Sequence, residues 1–171
     1  MTNNQTTSEE FQRAYSYTIR ILSKRDYSIH KLSQKLKERG FDQVTIDTVI
    51  DELVVKKFVN EENYAESKIK GWMQKGHSQD LISQKLELEN IYVDDIFIQS
   101  VFDEYKISED SQLKQLVEKK CRSIKSKEML DFNFKKKLIR YLMSKGHSFD
   151  LAQQAIDSYI RRLDEEEIEH Y

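Results

Sequence analysis

The apolar positions of this chain fall at intervals of three and four, not at alternate residues. Phe11, Tyr15, Thr18 and Leu22 form one stripe; Ile29, Leu32 and Leu36 form the next; Ile46, Val49, Ile50, Leu53 and Val54 form a third. The pattern continues through Ala65, Ile69, Trp72 and Met73, then Ile82 and Leu86, then Ile98, Val101, Phe102 and Tyr105. It ends with Leu113, Leu116, Val117, Cys121 and Ile124, then Leu130, Phe134, Leu138 and Leu142, then Ala152, Ala155, Ile156, Tyr159, Ile160 and Leu163. This spacing places each set on one face of a helix. It predicts nine short amphipathic helices. Ser28, Asn60 and Ser78 stand where an N-cap side chain would accept a first-turn backbone N–H.

The pattern also repeats. Leu32-Ser33-Gln34-Lys35-Leu36 returns as Ile82-Ser83-Gln84-Lys85-Leu86, 50 residues on. At that offset Ser28 aligns with Ser78, Gly40 with Asn90, Phe41 with Ile91 and Ile46 with Ile96. Gly and Asn are the residues that best accept the left-handed conformation that closes a helix, so the physical role persists where identity does not. A third copy lies about 106 residues from the first: Leu36 with Leu142, Gly40 with Gly146, Ile46 with Ala152, Ile50 with Ile156 and Leu53 with Tyr159. Self-similarity at this period indicates an array of supersecondary units that share cores with their neighbours. The expected fold is all-α, an elongated tandem array of three three-helix repeats. The expected organisation is a disordered tail over 1–8, repeats over 9–58, 59–107 and 108–165, and an acidic tail over 166–171.

Composition narrows the class. The 171 residues include no proline and four glycines, too few turn formers for an all-β domain of this size. No apolar run approaches the roughly 20 residues of a membrane span, and the first ten residues are polar. The single cysteine, Cys121, cannot form an internal disulfide. A reduced, cytoplasmic protein with no membrane partner is expected. The net charge of −2 conceals four blocks: residues 1–77 carry +2, 78–109 carry −6, 110–149 carry +7 and 150–171 carry −5. Such alternation presents different surfaces to different partners.

Catalytic chemistry is not visible. His30, His77, His147 and His170 form neither HExxH nor a zinc-spaced cluster, and they read as exposed residues beside turns. No glycine-rich phosphate loop occurs. Lys75-Gly76-His77-Ser78 and Lys145-Gly146-His147-Ser148 look alike, but they fall at different helix junctions of the repeat and read as stop-and-start signals. Asp94-Asp95 suits the first turn of a helix, and Cys121 lies on an apolar stripe as a packed thiol. The expectation is a non-enzyme with no cofactor and no metal. The basic segment is the better candidate: Lys125, Lys127, Lys135, Lys136, Lys137 and Arg140, with Phe132 and Phe134 interleaved, offer charge to phosphates or to an acidic protein surface.

Four motifs in order resemble the RecX family of bacterial RecA regulators. They are Ala14 through Arg25-Asp26-Tyr27-Ser28 with Leu32 and Leu36; Val59-Asn60-Glu61-Glu62-Asn63-Tyr64-Ala65; Gly76 through Ile82 and Leu86; and Tyr141-Leu142 through Gly146. The resemblance covers roughly residues 12–162. Glu61 stands where the family has Asp, Asn90 where it has a helix-ending Gly, and His147 where Phe is common. The resemblance implies a protein that lies in the groove of the RecA filament on single-stranded DNA and restrains ATP hydrolysis and strand exchange. Lys24 and Arg25 at the first turn join Lys125, Lys127, Lys135, Lys136, Lys137 and Arg140 as the expected partner contacts. Tyr27 and Ser28 are expected to set the turn, and Tyr64 and Ala65 to be structural. The protein is expected to be a monomer with at most a weak direct contact with DNA. Two other readings remain open: a direct nucleic-acid-binding helical module, and a helical scaffold for an unrelated protein.

Overall fold

The computed structural model describes residues 3–124 and 130–169, with side chains over 8–124 and 130–165. The described residues contain nine helices and no strand: α1 (Asn3–Leu22), α2 (Ile29–Glu38), α3 (Gln43–Val55), α4 (Glu61–Met73), α5 (Gln79–Leu88), α6 (Asp95–Glu104), α7 (Glu109–Lys120), α8 (Phe132–Ser144) and α9 (Phe149–Glu169). Helix α1 starts at Asn3, and α9 ends at Glu169. Both therefore extend into segments expected as tails.

The helix starts obey one rule: a short polar side chain satisfies an orphan N–H. Ser28 Oγ accepts from the Lys31 N–H, Asp42 from Thr45, Asn60 from Asn63, Ser78 from Leu81 and Asp94 from Phe97. Ser108, Asp131 and Ser148 do the same for Ser111, Phe134 and Leu151. Ser108 and Ser111 form a reciprocal capping box. The expected caps at Ser28, Asn60 and Ser78 are present. Gly40, Asn90 and Gly146 close their helices in the left-handed region, with φ of 85°, 56° and 91°.

The chain divides into two compact units, one of residues up to 68 together with 86–92, the other of 69–85 together with 93–171. In the first unit α1, α2 and α3 pack on one another around Ala14, Leu32, Leu36, Ile46, Val49, Ile50, Leu53 and Val59. Burial of a Leu- or Ile-sized side chain stabilises by about 1.5–3 kcal/mol, so such a set can hold a three-helix unit. In the second unit α7, α8 and α9 pack likewise, around Leu113, Leu116, Val117, Cys121, Leu130, Leu138, Leu142, Ala152, Ile156 and Ile160. Ile69, Met73, Ile82, Ile98, Val101 and Phe102 of the second unit are also buried.

One expectation about repeat alignment and two about facing are corrected. Ile96, aligned in the sequence with Ile46, is 78% exposed, and Ile98, on the expected apolar stripe, is the buried residue. The connection from Ile91 to the Asp94 cap is two residues longer than that from Phe41 to the Asp42 cap. The third helix of the middle repeat therefore tracks that of the first at an offset of 52, matching Ile46 to Ile98 and Val49 to Val101. Val54 and Tyr105 are exposed, not inward. Both lie where their helices end, and Tyr105 is the C-cap residue of α6. Cys121 is buried and free, and burial raises its thiol pKa, as suits a packed thiol.

Candidate functional site

The expected cationic contacts fall into two sets, one in each unit. Lys24 and Arg25 lie exposed in the turn after α1. The Arg25 guanidinium sits 4.7 Å from the centre of the Tyr27 ring, a cation–π arrangement that orders an otherwise free side chain. Ser28 next to it is fully buried as the cap of α2. The Ile29 N–H donates to Glu61 Oε2 at 3.0 Å. Glu61 thus uses its extra methylene to place negative charge at the N-terminus of α2, where the helix dipole favours it. Arg25, Asp26, Tyr27, Lys31, Gln34 and Lys35 line one side of a groove whose other side includes Tyr64 and Lys68. Two of its lysines are held by Glu89, which accepts from Lys31 and, at 3.0 Å, from Lys68. Burial alone would raise the Glu89 pKa, but the two lysines outweigh it and hold the carboxyl below its usual range.

In the second unit, Lys136, Lys137 and Arg140 are exposed on α8, and Lys135 is half-buried. Phe134 packs against the core beneath them, while Phe132 is 78% exposed. The helix is held by its inner face, Leu138 and Leu142; Lys136, Lys137 and Arg140 project from the exposed side, and Lys135 lies beside the inner stripe. The structure thus brings Lys135, Lys136, Lys137 and Arg140 onto one helix. Lys125 and Lys127 lie outside the described residues, as does His170.

The histidine expectation fails at His147. Its side chain is fully buried. Nδ1 lies 2.8 Å from Glu109 Oε1, and Nε2 lies 3.1 Å from the Gly76 carbonyl oxygen. The imidazole fills this buried space with a ring that also makes polar contacts. His77 is half-buried, and its Nδ1 is inaccessible with no hydrogen-bond partner among the described residues. Burial first, then the charges of Lys145, Lys85 and Lys75, push its pKa down to about 4.

These contacts reveal a juxtaposition that the sequence pattern does not show. The two Lys-Gly-His-Ser junctions meet. The Ser78 N–H donates to the Lys145 carbonyl at 2.9 Å, and the Ser78 hydroxyl donates to the Gly146 carbonyl at 2.9 Å. His147 reaches back to Gly76. Buried Gln112 donates from Nε2 to the Met73 and His77 carbonyls at 3.0 and 3.3 Å. A Cβ at Gly146 would overlap the Ser78 hydroxyl and come within 2.6 Å of Leu81 Cβ, so this approach requires glycine. The only signal in the sequence was the repetition of the four residues.

Among the described residues no group of His, Cys, Asp and Glu could hold a metal ion, and no helix is long and apolar enough to cross a membrane. The fold and its two exposed cationic sets define a class: an all-helical protein built from three-helix units, whose candidate chemistry is surface recognition. Comparison with known proteins gives the family. Residues 14–53 match the model of the RecX first three-helix domain, and residues 108–156 match that of the third. A protein of Clostridium perfringens named "Regulatory protein RecX" is 30% identical, over 91% of this chain and 70% of its own. One of the same name from Vibrio parahaemolyticus is 28% identical over 81% of this chain and 86% of its own. The crystal structure of RecX from Lactobacillus salivarius shares the fold, with a TM-score of 0.69 at 20% identity over 88% of this chain and 97% of that one. The chain belongs to the RecX family.

Proposed function

We propose that this chain is a regulator of the RecA recombinase that binds the RecA filament on single-stranded DNA and restrains its ATP hydrolysis and strand exchange. The observation that carries the reading is family membership across nearly the whole chain, together with relatives named as regulatory proteins. The arrangement of charge supports it. Lys24 and Arg25 belong to one unit, and Lys135, Lys136, Lys137 and Arg140 to the other. Two weak contacts carried by one chain add through effective concentration, by a factor on the order of 10²–10⁴ when both can engage. A polymer with a repeating surface offers such paired sites. The three-repeat organisation over 9–58, 59–107 and 108–165 belongs to the same proposal, as does a monomer acting in the cytoplasm.

Co-sedimentation with RecA filaments tests the binding step. The chain should pellet with filaments and not without them. Changing Lys135, Lys136 and Lys137 to Glu should weaken retention at least tenfold while leaving the helical circular-dichroism signal intact. Retention unaltered by the triple change would remove the α8 cations from the interface. Absence of pelleting by the unaltered chain would remove the RecA reading itself.

A further inference from the structure

The second unit carries another concentration of positive charge, and it is not the one on α8's outer face. It grows out of the meeting of the two Lys-Gly-His-Ser junctions. Lys75 lies just past α4, and Lys145 is the C-cap residue of α8. The bonds from Ser78 to the Lys145 and Gly146 carbonyls hold these two helix ends together. Helix α7 ends in Lys119 and Lys120. The Lys120 ammonium lies 4.4 Å from the centre of the Tyr141 ring, and the Lys145 ammonium lies 5.8 Å from the same centre. One tyrosine therefore gathers cations from α7 and α8. On α5, the Lys85 ammonium lies 5.8 Å from the centre of the Trp72 ring. The Trp72 carbonyl in turn accepts from the Lys75 and His77 N–H groups at 3.0 and 3.2 Å. Lys75, Lys85 and Lys145 thus face His77, and Lys119 and Lys120 adjoin Lys145.

Lysines at helix C-termini commonly serve the helix dipole, and magnitudes decide whether that suffices here. Each C-terminus offers about half a negative charge. Four such ends, those of α4, α5, α7 and α8, supply about −2 against five ammonium groups, leaving roughly +3. No carboxylate among the described residues makes an ion pair with any of the five, whereas Lys31, Lys56, Lys68 and Arg162 each have one. The excess is felt locally: burial and then Lys119, Lys75, Lys120 and Lys85 lower the Lys145 pKa. His77 responds in the same direction. The cluster is built in a charge-repelled state that an anion would relieve.

We propose that Lys75, Lys85, Lys119, Lys120 and Lys145 form a binding site for the phosphodiester backbone of nucleic acid, read without regard to base sequence. Charge density favours this ligand over an acidic peptide. A nucleic-acid strand presents one charge about every 3.4 Å. An extended peptide presents side chains to one face only about every 6.7 Å. The rings nearest the site, Tyr141 and Trp72, have ammonium groups lying over them, which disposes the site toward phosphates and not toward stacking of bases. This proposal needs no RecA, so it stands or falls separately from regulation of the recombinase.

The test is fluorescence anisotropy of the full chain with labelled single-stranded and duplex oligonucleotides of mixed sequence, over a range of salt concentrations. The site predicts binding that is indifferent to base composition. It also predicts that Lys75→Gln, Lys120→Gln and Lys145→Gln together weaken single-strand binding at least tenfold. The slope of log affinity against log salt should flatten by about 2, at roughly 0.7 per lost cation. Unchanged affinity and slope would overturn the proposal. So would loss of binding on neutralising Lys135, Lys136 and Lys137 with no loss from the cluster variant. Displacement of the oligonucleotide by polyglutamate at equal charge concentration would assign the cluster to an acidic protein surface instead. Should the triple variant unfold, the unaltered chain still decides: bound oligonucleotide should shift the His77 imidazole resonance and raise its pKa, and an unmoved His77 would refute the site.

Discussion

His77 and His147 are separated by 70 positions in the chain and have the same neighbours in sequence, yet their surroundings differ. His147 is a buried polar link between helix junctions, while His77 is a base among cations. The His77 pKa falls from about 6.5 to about 4 on folding, so between these values the unfolded chain binds the extra proton. Stability therefore rises with pH across that window and is lost as pH falls through it. Burial sets this sign first, and Lys145, Lys85, Lys75 and His147, which face the ring, add to it. Urea unfolding of the wild type and of His77→Gln at pH 7 and pH 5 measures it: the wild type should lose more stability than the variant on acidification. His147 gives the second residue-scale prediction. His147→Phe keeps an aromatic ring in the space but leaves the Gly76 carbonyl without its donor. An unsatisfied buried acceptor costs about 1–3 kcal/mol, and the urea midpoint at pH 7 should fall accordingly. A variant as stable as wild type would show that packing alone matters there.

At the scale of the helix, the fold was largely legible from local physics. Apolar spacing gave the stripes, and Ser28, Asn60 and Ser78 gave helix starts that the structure shows. Gly40, Asn90 and Gly146 gave ends. The inward stripe of α6, Ile98 with Val101 and Phe102, was legible, but the offset that relates it to the first repeat was not. The two residues added between Ile91 and Asp94 leave the sequence motif aligned at an offset of 50 but move the next helix to 52, which exposes Ile96 and buries Ile98. Repeated identity marks anchors, whereas loop length sets the register of the next helix. The meeting of the Lys-Gly-His-Ser junctions was also hidden, because hydrogen bonds spanning 68 and 71 positions leave no periodicity. The start of α2 offers a prediction at this scale. Ser28→Ala removes a buried cap and should cost about 1 kcal/mol. Glu61→Gln retains an acceptor for the Ile29 N–H but removes the favourable charge, and should cost a few tenths of that. Thermal melts of the two variants order them.

For the whole molecule, a net charge of −2 says little about partners, because the charge is divided into blocks and then regrouped by folding. The +7 block supplies both the α8 cations and three of the five lysines of the junction cluster; the other two, Lys75 and Lys85, come from blocks of +2 and −6. Such surfaces make association sensitive to ionic strength. Binding to RecA filaments should therefore weaken as salt rises from about 50 to about 200 mM, as co-sedimentation at the two concentrations would show. The central claim is regulation of RecA, and RecA's single-strand-dependent ATPase tests it most directly. Titration of preformed filaments with the unaltered chain should lower the hydrolysis rate to a saturating minimum, with strand exchange falling in parallel. A hydrolysis rate unchanged at saturating protein would contradict the account.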